Sequence, residues 1–284
     1  MSMKNILILT DFSNNSWNSI QYTLEFFEGK KCNFYILNAE NTQGDKIEED
    51  VFNHVEVTTK KNNKTRINEL LSKISLSPLS GNHKFVSIIS EDNIIDAARK
   101  EIKEKNINLI VIGSNGMTSS GRENNISPIS EEIITKLKCS ILVVPNEAQF
   151  NGVNKIGFPT DYTNFYEARL LQNMTNFLSY QESPISFVHV SKKTEKLNKE
   201  QRWNKETLED YFVNQPHSFH NEVNENFEVS IENFIDKESI DLVVMAAKNL
   251  NLFEQILFRP KQKDIKYYFK TPFLVLHELI IEDS

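Results

Sequence analysis

Four blocks of the sequence recur in the same order in its second half, and this repeat limits the fold more than any other feature. Residues 155–163 repeat residues 5–13, so that Thr10-Asp11 becomes Thr160-Asp161. In the other three pairs, residues 186–190 repeat the second predicted strand (residues 33–39), residues 240–245 repeat 107–112, and residues 270–276 repeat 138–144. A repeat in which every block keeps its place indicates a duplicated folding unit. The sequence therefore predicts two copies of one domain in tandem.

The predicted domains cover residues 1–148 and 152–280, and a short polar segment separates them. In the first domain, apolar runs typical of buried strands alternate with stretches that have the three- and four-residue apolar spacing of amphipathic helices. The predicted strands are 5–9, 33–39, 85–89, 109–112 and 140–144, and the predicted helices are 17–28, 66–74, 93–105 and 128–136. Residues 41–57 lack an apolar period and are predicted as a loop with room for a short helix. The alternation predicts an α/β fold with two tandem open, mostly parallel five-stranded sheets flanked by helices, packed as a pseudo-two-fold pair.

The composition argues against several classes of partner. The net charge of −7 disfavours nucleic acid, because phosphate backbones are bound by basic surfaces. The chain has neither an apolar run of membrane-spanning length nor a signal sequence at its start, which predicts a cytoplasmic protein with no membrane partner. The two cysteines, Cys32 and Cys139, fit no metal-ligand spacing and are predicted to be buried, reduced thiols.

A run of four apolar residues, 109–112, ends abruptly at Gly113, and Gly116 follows three residues later. The run predicts a strand that is buried on both faces. Open α/β sheets bind ligands at the carboxyl ends of such strands, and glycines let the backbone approach a ligand closely. A helix predicted to begin at Pro128 would present free N–H groups and a partial positive charge, which suit a phosphate. The sequence therefore predicts a ligand site at the end of this strand.

Three features of the first domain together resemble the universal stress protein family: Asp11 after the first strand, Gly113-x-x-Gly116 after the fourth, and the Cys-Ser-Ile-Leu-Val-Val-Pro segment that begins at Cys139. The resemblance covers essentially the whole chain, in the tandem two-domain form of the family. It implies an adenine nucleotide α-hydrolase-like fold and a role in stress response or signalling. A subset of the family binds ATP or AMP at the loop after the fourth strand, so the resemblance also implies a nucleotide site in the first domain.

The family's nucleotide signature is only partly present. It consists of G-x-x-G, a gap of about nine residues, and then Gly-Ser or Gly-Thr, and the two glycines of the first domain match its first part. Counting forward places Ile126 and Ser127 at the second part, whereas counting back from Cys139 places Ser127 and Pro128 there. In both alignments the glycine of the signature's second part is absent. A side chain in its place leaves less room for phosphate oxygens beside the backbone amides. Ser127 still offers a hydroxyl, and Arg122 in the loop could add positive charge.

The resemblance assigns nucleotide-binding roles to seven residues of the first domain: Thr10, Asp11, Ala39, Gly113, Ser114, Gly116 and Ser127. Asp11 would contact the adenine or the ribose, and Ala39 lies where the family has a small apolar residue near the adenine. Each of these two residues also has a purely structural interpretation. Asp11 can hydrogen-bond nearby amides ahead of the first helix, and Ala39 can simply end a strand. From the sequence, both interpretations stay open.

The second domain lacks the nucleotide motif. Residues 246–249 are Ala-Ala-Lys-Asn where the first domain has Gly-Ser-Asn-Gly, and residues 257–261 contain no glycine. A phosphate cradle of the family's type is not expected without glycines, so this domain is predicted to hold no cofactor and to be a structural partner of the first. Asp161 is accordingly predicted to be structural. His189, on an apolar strand, is predicted to be a core histidine with a hydrogen-bond partner.

The motifs of common enzyme classes are missing from the sequence: it has no nucleophile elbow, no Walker A loop and no zinc-protease helix. The chain is therefore predicted not to be an enzyme, with weak nucleotide hydrolysis as the most it could perform. Two functional hypotheses remain. In the first, the chain is a stress or signalling protein whose first domain holds ATP or AMP. In the second, it is a non-nucleotide interaction module that acts through protein partners. The two domains are expected to pair within the chain, and exposed sheet edges leave a homodimer open.

Overall fold

The computed structural model describes residues 3–39, 49–114, 126–178, 183–191, 196–224, 227–247 and 270–277. Strands and helices alternate through these residues, as the sequence predicts. The first half contains β1 (Lys4–Leu9), α1 (Asn14–Phe26), β2 (Cys32–Ala39), α2 (Glu49–Ser75), a 3-10 helix (Pro78–Asn82), β3 (Lys84–Ser90), α3 (Ile94–Lys105), β4 (Leu109–Gly113), α4 (Pro128–Lys136) and β5 (Ile141–Val144). The second half contains β6 (Ile156–Pro159), α5 (Ala168–Leu178), β7 (Ile185–Ser191), α6 (Lys199–Tyr211), β8 (His217–Val223), α7 (Phe227–Glu238), β9 (Leu242–Ala246) and β10 (Phe273–Leu276).

The ten described strands form one sheet in the order β3-β2-β1-β4-β5-β10-β9-β6-β7-β8. The order of the second half mirrors that of the first, with β6 in the place of β1 and β10 in the place of β5. Neighbouring strands are parallel, except that β5 and β10 pair antiparallel at the centre. The predicted mostly parallel α/β architecture is confirmed. The five strands of one half continue directly into the five strands of the other, and β3 and β8 form the outer edges.

The pairing of β5 with β10 has the symmetry of a two-fold axis. Leu142 lies opposite Leu274, and these two residues occupy the same position in the sequence repeat. The pseudo-two-fold axis therefore passes between the two leucines. On either side of this axis, the residue that precedes the leucine of one strand lies opposite the residue that follows the leucine of the other strand. These flanking pairs are Ile141 with Val275 and Val143 with Phe273.

Apolar side chains cover both faces of the central strands. Along β4, Leu109 and Val111 belong to the core on one face of the sheet, and Ile110 and Ile112 belong to the core on the other. All four side chains are buried. This is the burial that an uninterrupted apolar run predicts for a parallel strand covered by helices on both sides. The burial of β4 on both faces also fixes the position of Gly113, because this strand ends at that residue.

The structure corrects the prediction for the segment before β3. Helix α2 begins at Glu49, so residues 49–57 are helical and not part of a loop; residues 40–48 lie outside the described part of the chain. The apolar period starts only at Ile67 because the residues just before it, 64–66, are exposed and bury no apolar face. Among the described helices, α2 included, none has the length and apolarity needed to cross a membrane.

Candidate functional site

The candidate site lies where the strand order changes direction. The neighbours of β1 are β2 on one side and β4 on the other, so the chain leaves β1 in one direction and returns to its opposite side. Such a switch point opens a crevice at the carboxyl ends of the two strands, where open α/β sheets bind ligands. Thr10 and Asp11 follow β1, and Gly113 ends β4. These residues therefore lie on the two sides of the crevice.

The turn after β1 is held by its own side chains. The Thr10 hydroxyl accepts a hydrogen bond from the Phe12 N–H (3.0 Å) and is hydrogen-bonded to the Ser16 hydroxyl (3.0 Å). Asp11 Oδ1 accepts a hydrogen bond from the Ser13 N–H (2.9 Å), which is the local bond that its structural interpretation requires. Phe12 has a φ of 62°, in the left-handed region where a residue with a side chain is strained. Hydrogen bonds from its own residues therefore hold this turn in a strained conformation. The bond to Ser13 uses one of the two carboxylate oxygens of Asp11.

Strand β2 supports this turn from the side. Asn38 Nδ2 donates to the carbonyl oxygen of Thr10 (2.8 Å), and the Thr10 N–H donates to the carbonyl oxygen of Leu37 (2.9 Å). Ala39 is the last residue of β2 and is buried. It thus lies at the same edge of the sheet as Asp11, one strand away.

Gly113 is required by the packing of α1 against β4. A Cβ at this position would lie 2.7 Å from Cγ and Nδ2 of Asn15 and 2.9 Å from its Oδ1. Asn15 belongs to the first turn of α1 and is only 5% exposed. The missing Cβ, which the sequence analysis assigns to the approach of a ligand, makes room for a side chain of the protein itself.

Two serines join α4 to the end of β4. Ser127 caps the helix: its hydroxyl accepts a hydrogen bond from the Ser130 N–H (3.1 Å), and its own N–H donates to the carbonyl oxygen of Ser114 (2.9 Å). The Ser130 hydroxyl donates to the carbonyl oxygen of Gly113 (3.2 Å). Pro128 stands in the first helical turn, where its missing N–H removes no helical hydrogen bond. The predicted start of this helix is confirmed, and hydrogen bonds hold its N-terminal end against the end of β4.

The structure brings most of the predicted site residues to one edge of the sheet. Thr10 and Asp11 lie on one side of the crevice, and Ala39 ends the neighbouring strand β2 on that same side. The other side holds Gly113, Ser114 and Ser127. Gly116 and Arg122 lie outside the described residues. The hydrogen bonds given above join groups of the protein to one another, so the ligand-binding role of each residue stays a prediction.

The sequence analysis missed Arg66 as a residue of this region. Its guanidinium carbon lies 4.4 Å from the centre of the Phe12 ring, in the turn after β1, and its side chain is exposed. No local pattern connects these two residues, which are far apart in the sequence. The available signal was topological: a helix that follows β2 runs back along the same sheet from its carboxyl edge. The predicted helix 66–74 includes Arg66, but its apolar period gives no reason to place that side chain against the turn after β1.

A sequence model of the universal stress protein family matches residues 3–145, which is half of the chain. The matched segment contains the turn after β1, the end of β4 and helix α4, which together build the crevice. The chain belongs to the universal stress protein family. A search of curated proteins found no match to the sequence.

Solved structures share the fold over nearly the whole chain. A universal stress protein from Archaeoglobus fulgidus aligns with a TM-score of 0.67 at 13% identity, over 98% of this chain and 100% of its own. A putative universal stress protein from Pseudomonas aeruginosa aligns with a TM-score of 0.59 at 13% identity, over 97% and 93%. A protein of unknown function from the same organism reaches 0.61 at 12% identity, over 97% and 92%. At these identities the likeness shows the fold alone, and it extends through the half that the family model does not match.

The second half keeps the turn that this universal stress protein has after β1. The Thr160 hydroxyl accepts a hydrogen bond from the Tyr162 N–H (3.1 Å), and Asp161 Oδ1 accepts one from the Thr163 N–H (3.0 Å). Tyr162 has a φ of 56°, close to the value at its counterpart in the first half. The sequence repeat therefore corresponds to a repeat of the same backbone conformation and the same side-chain hydrogen bonds.

Aromatic side chains occupy the space around this second turn. Tyr166 stands where the first half has a serine; its hydroxyl is hydrogen-bonded to Thr160 (2.9 Å), and its ring packs on Phe158 (5.4 Å between centroids). Tyr162 is completely buried, and its ring lies 5.2 Å from that of His189. His189 Nδ1 in turn lies 3.1 Å from the Thr160 carbonyl oxygen, the contact expected of a core histidine with a hydrogen-bond partner. Aromatic rings therefore pack directly against this second turn.

Both cysteines of this universal stress protein are free and buried. Burial raises the pKa of Cys32 to about 11 and the pKa of Cys139 to about 12. Because the thiolate is the reactive form, we expect a chromogenic disulfide reagent to modify neither cysteine of the native protein at mildly alkaline pH and both after unfolding in denaturant. Rapid modification of the native protein would contradict the burial of these side chains.

The described part of the chain contains no group of three or more His, Cys, Asp or Glu side chains placed to hold a metal ion. His217 Nδ1 lies 2.8 Å from the carbonyl oxygen of Gln215, and His220 Nε2 lies 2.8 Å from the Ser218 hydroxyl. These contacts give both rings a structural role on β8.

Proposed function

We propose that this universal stress protein binds an adenine nucleotide, ATP or AMP, in its first half, at the crevice between β1 and β4. The proposal rests on one observation: Thr10, Asp11, Gly113, Ser114 and Ser127 converge at the point where the strand order changes direction. A nucleotide that joins the two sides of the crevice would change the contacts available at this edge, which is the physical basis of a signalling role. We propose no catalytic role for the chain, and we propose that it is cytoplasmic.

Asp11 is the residue that makes this proposal testable. One of its carboxylate oxygens holds the turn, and the other can accept a hydrogen bond from a hydroxyl group, such as those of a ribose. Asp161 makes the same local bond at 3.0 Å in the second half. Aromatic rings surround that second turn, so we propose that no nucleotide binds there.

We expect Asp11→Ala to weaken the binding of ATP and AMP by roughly 10- to 100-fold, because a hydrogen bond to a charged group contributes about 1.5–3 kcal/mol. Asp161→Ala is the matched control, since it removes the same bond to a turn N–H without touching the crevice. The two variants should therefore lose similar amounts of thermal stability, and only the first should lose nucleotide affinity. The measurement is calorimetric titration of the full chain, after its extract has been checked for nucleotide carried through purification.

The expected result for the wild-type chain is one nucleotide per chain. Nucleotide-free protein that gives no heat with either ligand would overturn the proposal. Equal loss of affinity in both variants would place the binding outside the crevice of the first half.

A second candidate function, an interaction module that acts through a protein partner, is favoured by an exposed aromatic pair in the second half. Phe165 is 45% exposed and Trp203 is 57% exposed, and their rings stack at 5.3 Å. Exposed aromatic residues are enriched in protein interfaces. This function needs no nucleotide, so the same titration separates the two candidates.

A further inference from the structure

The exposed guanidinium of Arg66 lies over Phe12, in the turn after β1 that forms one side of the crevice. It stacks on the ring of Phe12, with 4.4 Å between the guanidinium carbon and the ring centre, and Phe12 is the residue directly after Asp11. The left-handed conformation of Phe12 fixes the direction in which its ring leaves the turn. Arg66 is therefore held beside the candidate site by the same turn that presents Asp11.

The charge of the candidate site calls for such a cation. Among the seven residues that the sequence assigns to the site, Asp11 is the one charged residue, and its charge is negative. A nucleotide phosphate is also negative, and none of these seven side chains carries a positive charge that would attract it. A positive group next to Asp11 offsets the carboxylate and attracts the phosphate.

The cation–π contact leaves the guanidinium able to bind a phosphate. A contact with an aromatic ring uses none of the five N–H donors of the guanidinium in a hydrogen bond, and the exposed side chain can offer them to another group. Two of those donors match two phosphate oxygens, a pairing that is stronger than a neutral hydrogen bond and specific in direction. We propose, on the basis of the proposed function, that Arg66 binds the phosphate of the nucleotide in the crevice of the first half.

Among the residues of the second half that the structure describes, no equivalent arrangement occurs. The counterpart of Phe12 is Tyr162, which is completely buried, so its ring face is closed to a cation from α6. Lys205 of α6 lies instead over the ring of Phe219, at 4.7 Å. The pairing of an exposed cation with the ring of this turn is thus particular to the first half, which is where the nucleotide is proposed to bind.

Helix α2 contains its own control for this proposal. Lys73 lies seven residues after Arg66, about two helical turns further along the same face, and its ammonium lies 3.6 Å from the centre of the Trp17 ring. Both contacts are cation–π contacts between α2 and the first part of the chain. Only the Arg66 contact involves the turn at the crevice.

The test titrates the full chain with ATP, AMP and adenosine, and compares the wild type with Arg66→Met, Arg66→Lys and Lys73→Met. Methionine keeps an apolar contact with Phe12 but removes the charge. We expect Arg66→Met to weaken ATP and AMP by roughly 10- to 100-fold and to leave adenosine within twofold, because the lost contact is to phosphate. Arg66→Lys should give an intermediate loss, since lysine keeps the charge without the planar fork. Lys73→Met should bind all three ligands as the wild type does.

The failure of this inference is distinguishable from the failure of the proposed function. A wild-type chain that binds no nucleotide would overturn the proposed function and this inference with it. A wild-type chain that binds ATP and AMP while Arg66→Met binds them equally well would overturn only the role of Arg66. An equal loss for adenosine and the nucleotides would also overturn it, since Arg66 would then contact the nucleoside and not the phosphate.

Discussion

Gly113→Ala is expected to lower the free energy of unfolding by about 1–3 kcal/mol, because the new methyl group would overlap the buried side chain of Asn15. The added Cβ would lie 2.7 Å from Asn15 Cγ and Nδ2, which is closer than side-chain atoms pack. Asn15 is 5% exposed, so its amide cannot move aside into solvent without losing its place between α1 and β4. Urea denaturation of the purified variant measures the loss.

Gly81→Ala is the matched control, since a Cβ at Gly81 meets nothing within 4 Å. Gly81 is exposed in the 3-10 helix, and the same substitution should change the stability there only slightly. Removing the amide as well, in Gly113→Ala with Asn15→Ala, should cost less than the sum of the two single losses, because the clash disappears. Strict additivity of the two substitutions would show that Asn15 is not what excludes a side chain at Gly113.

This expectation affects how the nucleotide site can be probed. A Gly113 variant that fails to bind nucleotide would not distinguish a blocked phosphate from a displaced α1. Asp11 and Arg66 carry no such ambiguity, since each has a control residue in an equivalent contact elsewhere in the chain. Binding experiments on this protein should therefore use those two positions.

The strands and the repeated turn could be predicted from the sequence because their signals are local. Strands β1, β2, β4 and β5 include short apolar runs, a consequence of helices covering both faces of the sheet. The repeat of Thr10-Asp11 as Thr160-Asp161 appears in the structure as the same turn, with the same hydrogen bonds. A turn that is held by its own side chains depends on little beyond its own residues.

Strand β8 and the part of α2 before residue 66 were not predicted, and the side chains that the structure describes there bury little. The residues of β8 are half-buried or exposed along its whole length, as suits the outer strand of the sheet. The described side chains of α2 before the predicted helix, residues 62–65, are exposed or half-buried as well. An apolar period reports which face of an element is buried, so an element that buries no face leaves no period to detect.

The sequence predicted that the candidate site residues lie at one edge of the sheet, but it did not predict the contacts they make there. The strand order predicts at which edge of the sheet these residues lie, and the predicted start of α4 at Pro128 places Ser127 just before that helix. The contact of Asn15 with Gly113 and the stacking of Arg66 on Phe12 depend on how α1 and α2 dock on the sheet. A glycine after a strand has two physical causes, close approach of a ligand and close approach of a side chain, and at Gly113 the structure shows the second.

Leu142→Ala and Leu274→Ala are each expected to lower the free energy of unfolding by about 2–5 kcal/mol, the usual range for a buried leucine. Leu142 is 1% exposed and Leu274 is 2% exposed, and both belong to the same face of the core. Because the pseudo-two-fold axis passes between them, each leucine contributes an equivalent half of one contact between β5 and β10. The two single variants should therefore lose similar amounts of stability in urea denaturation, although they lie in opposite halves of the chain.

The double variant tests whether this contact joins the halves. Residues directly opposite each other on neighbouring strands share packing, so the losses at Leu142 and Leu274 should differ from additivity by about 0.5 kcal/mol or more. Leu208 of α6, which is 1% exposed, is the control: Leu142→Ala combined with Leu208→Ala should be additive, because Leu208 lies on a helix of the second half and not on either strand that pairs with β5. Additivity at the leucine pair itself would show that the two side chains do not stabilise each other across the pairing of β5 with β10. Coupling there and none with Leu208 would mean that the two repeats are stabilised by one side-chain contact on the axis that relates them.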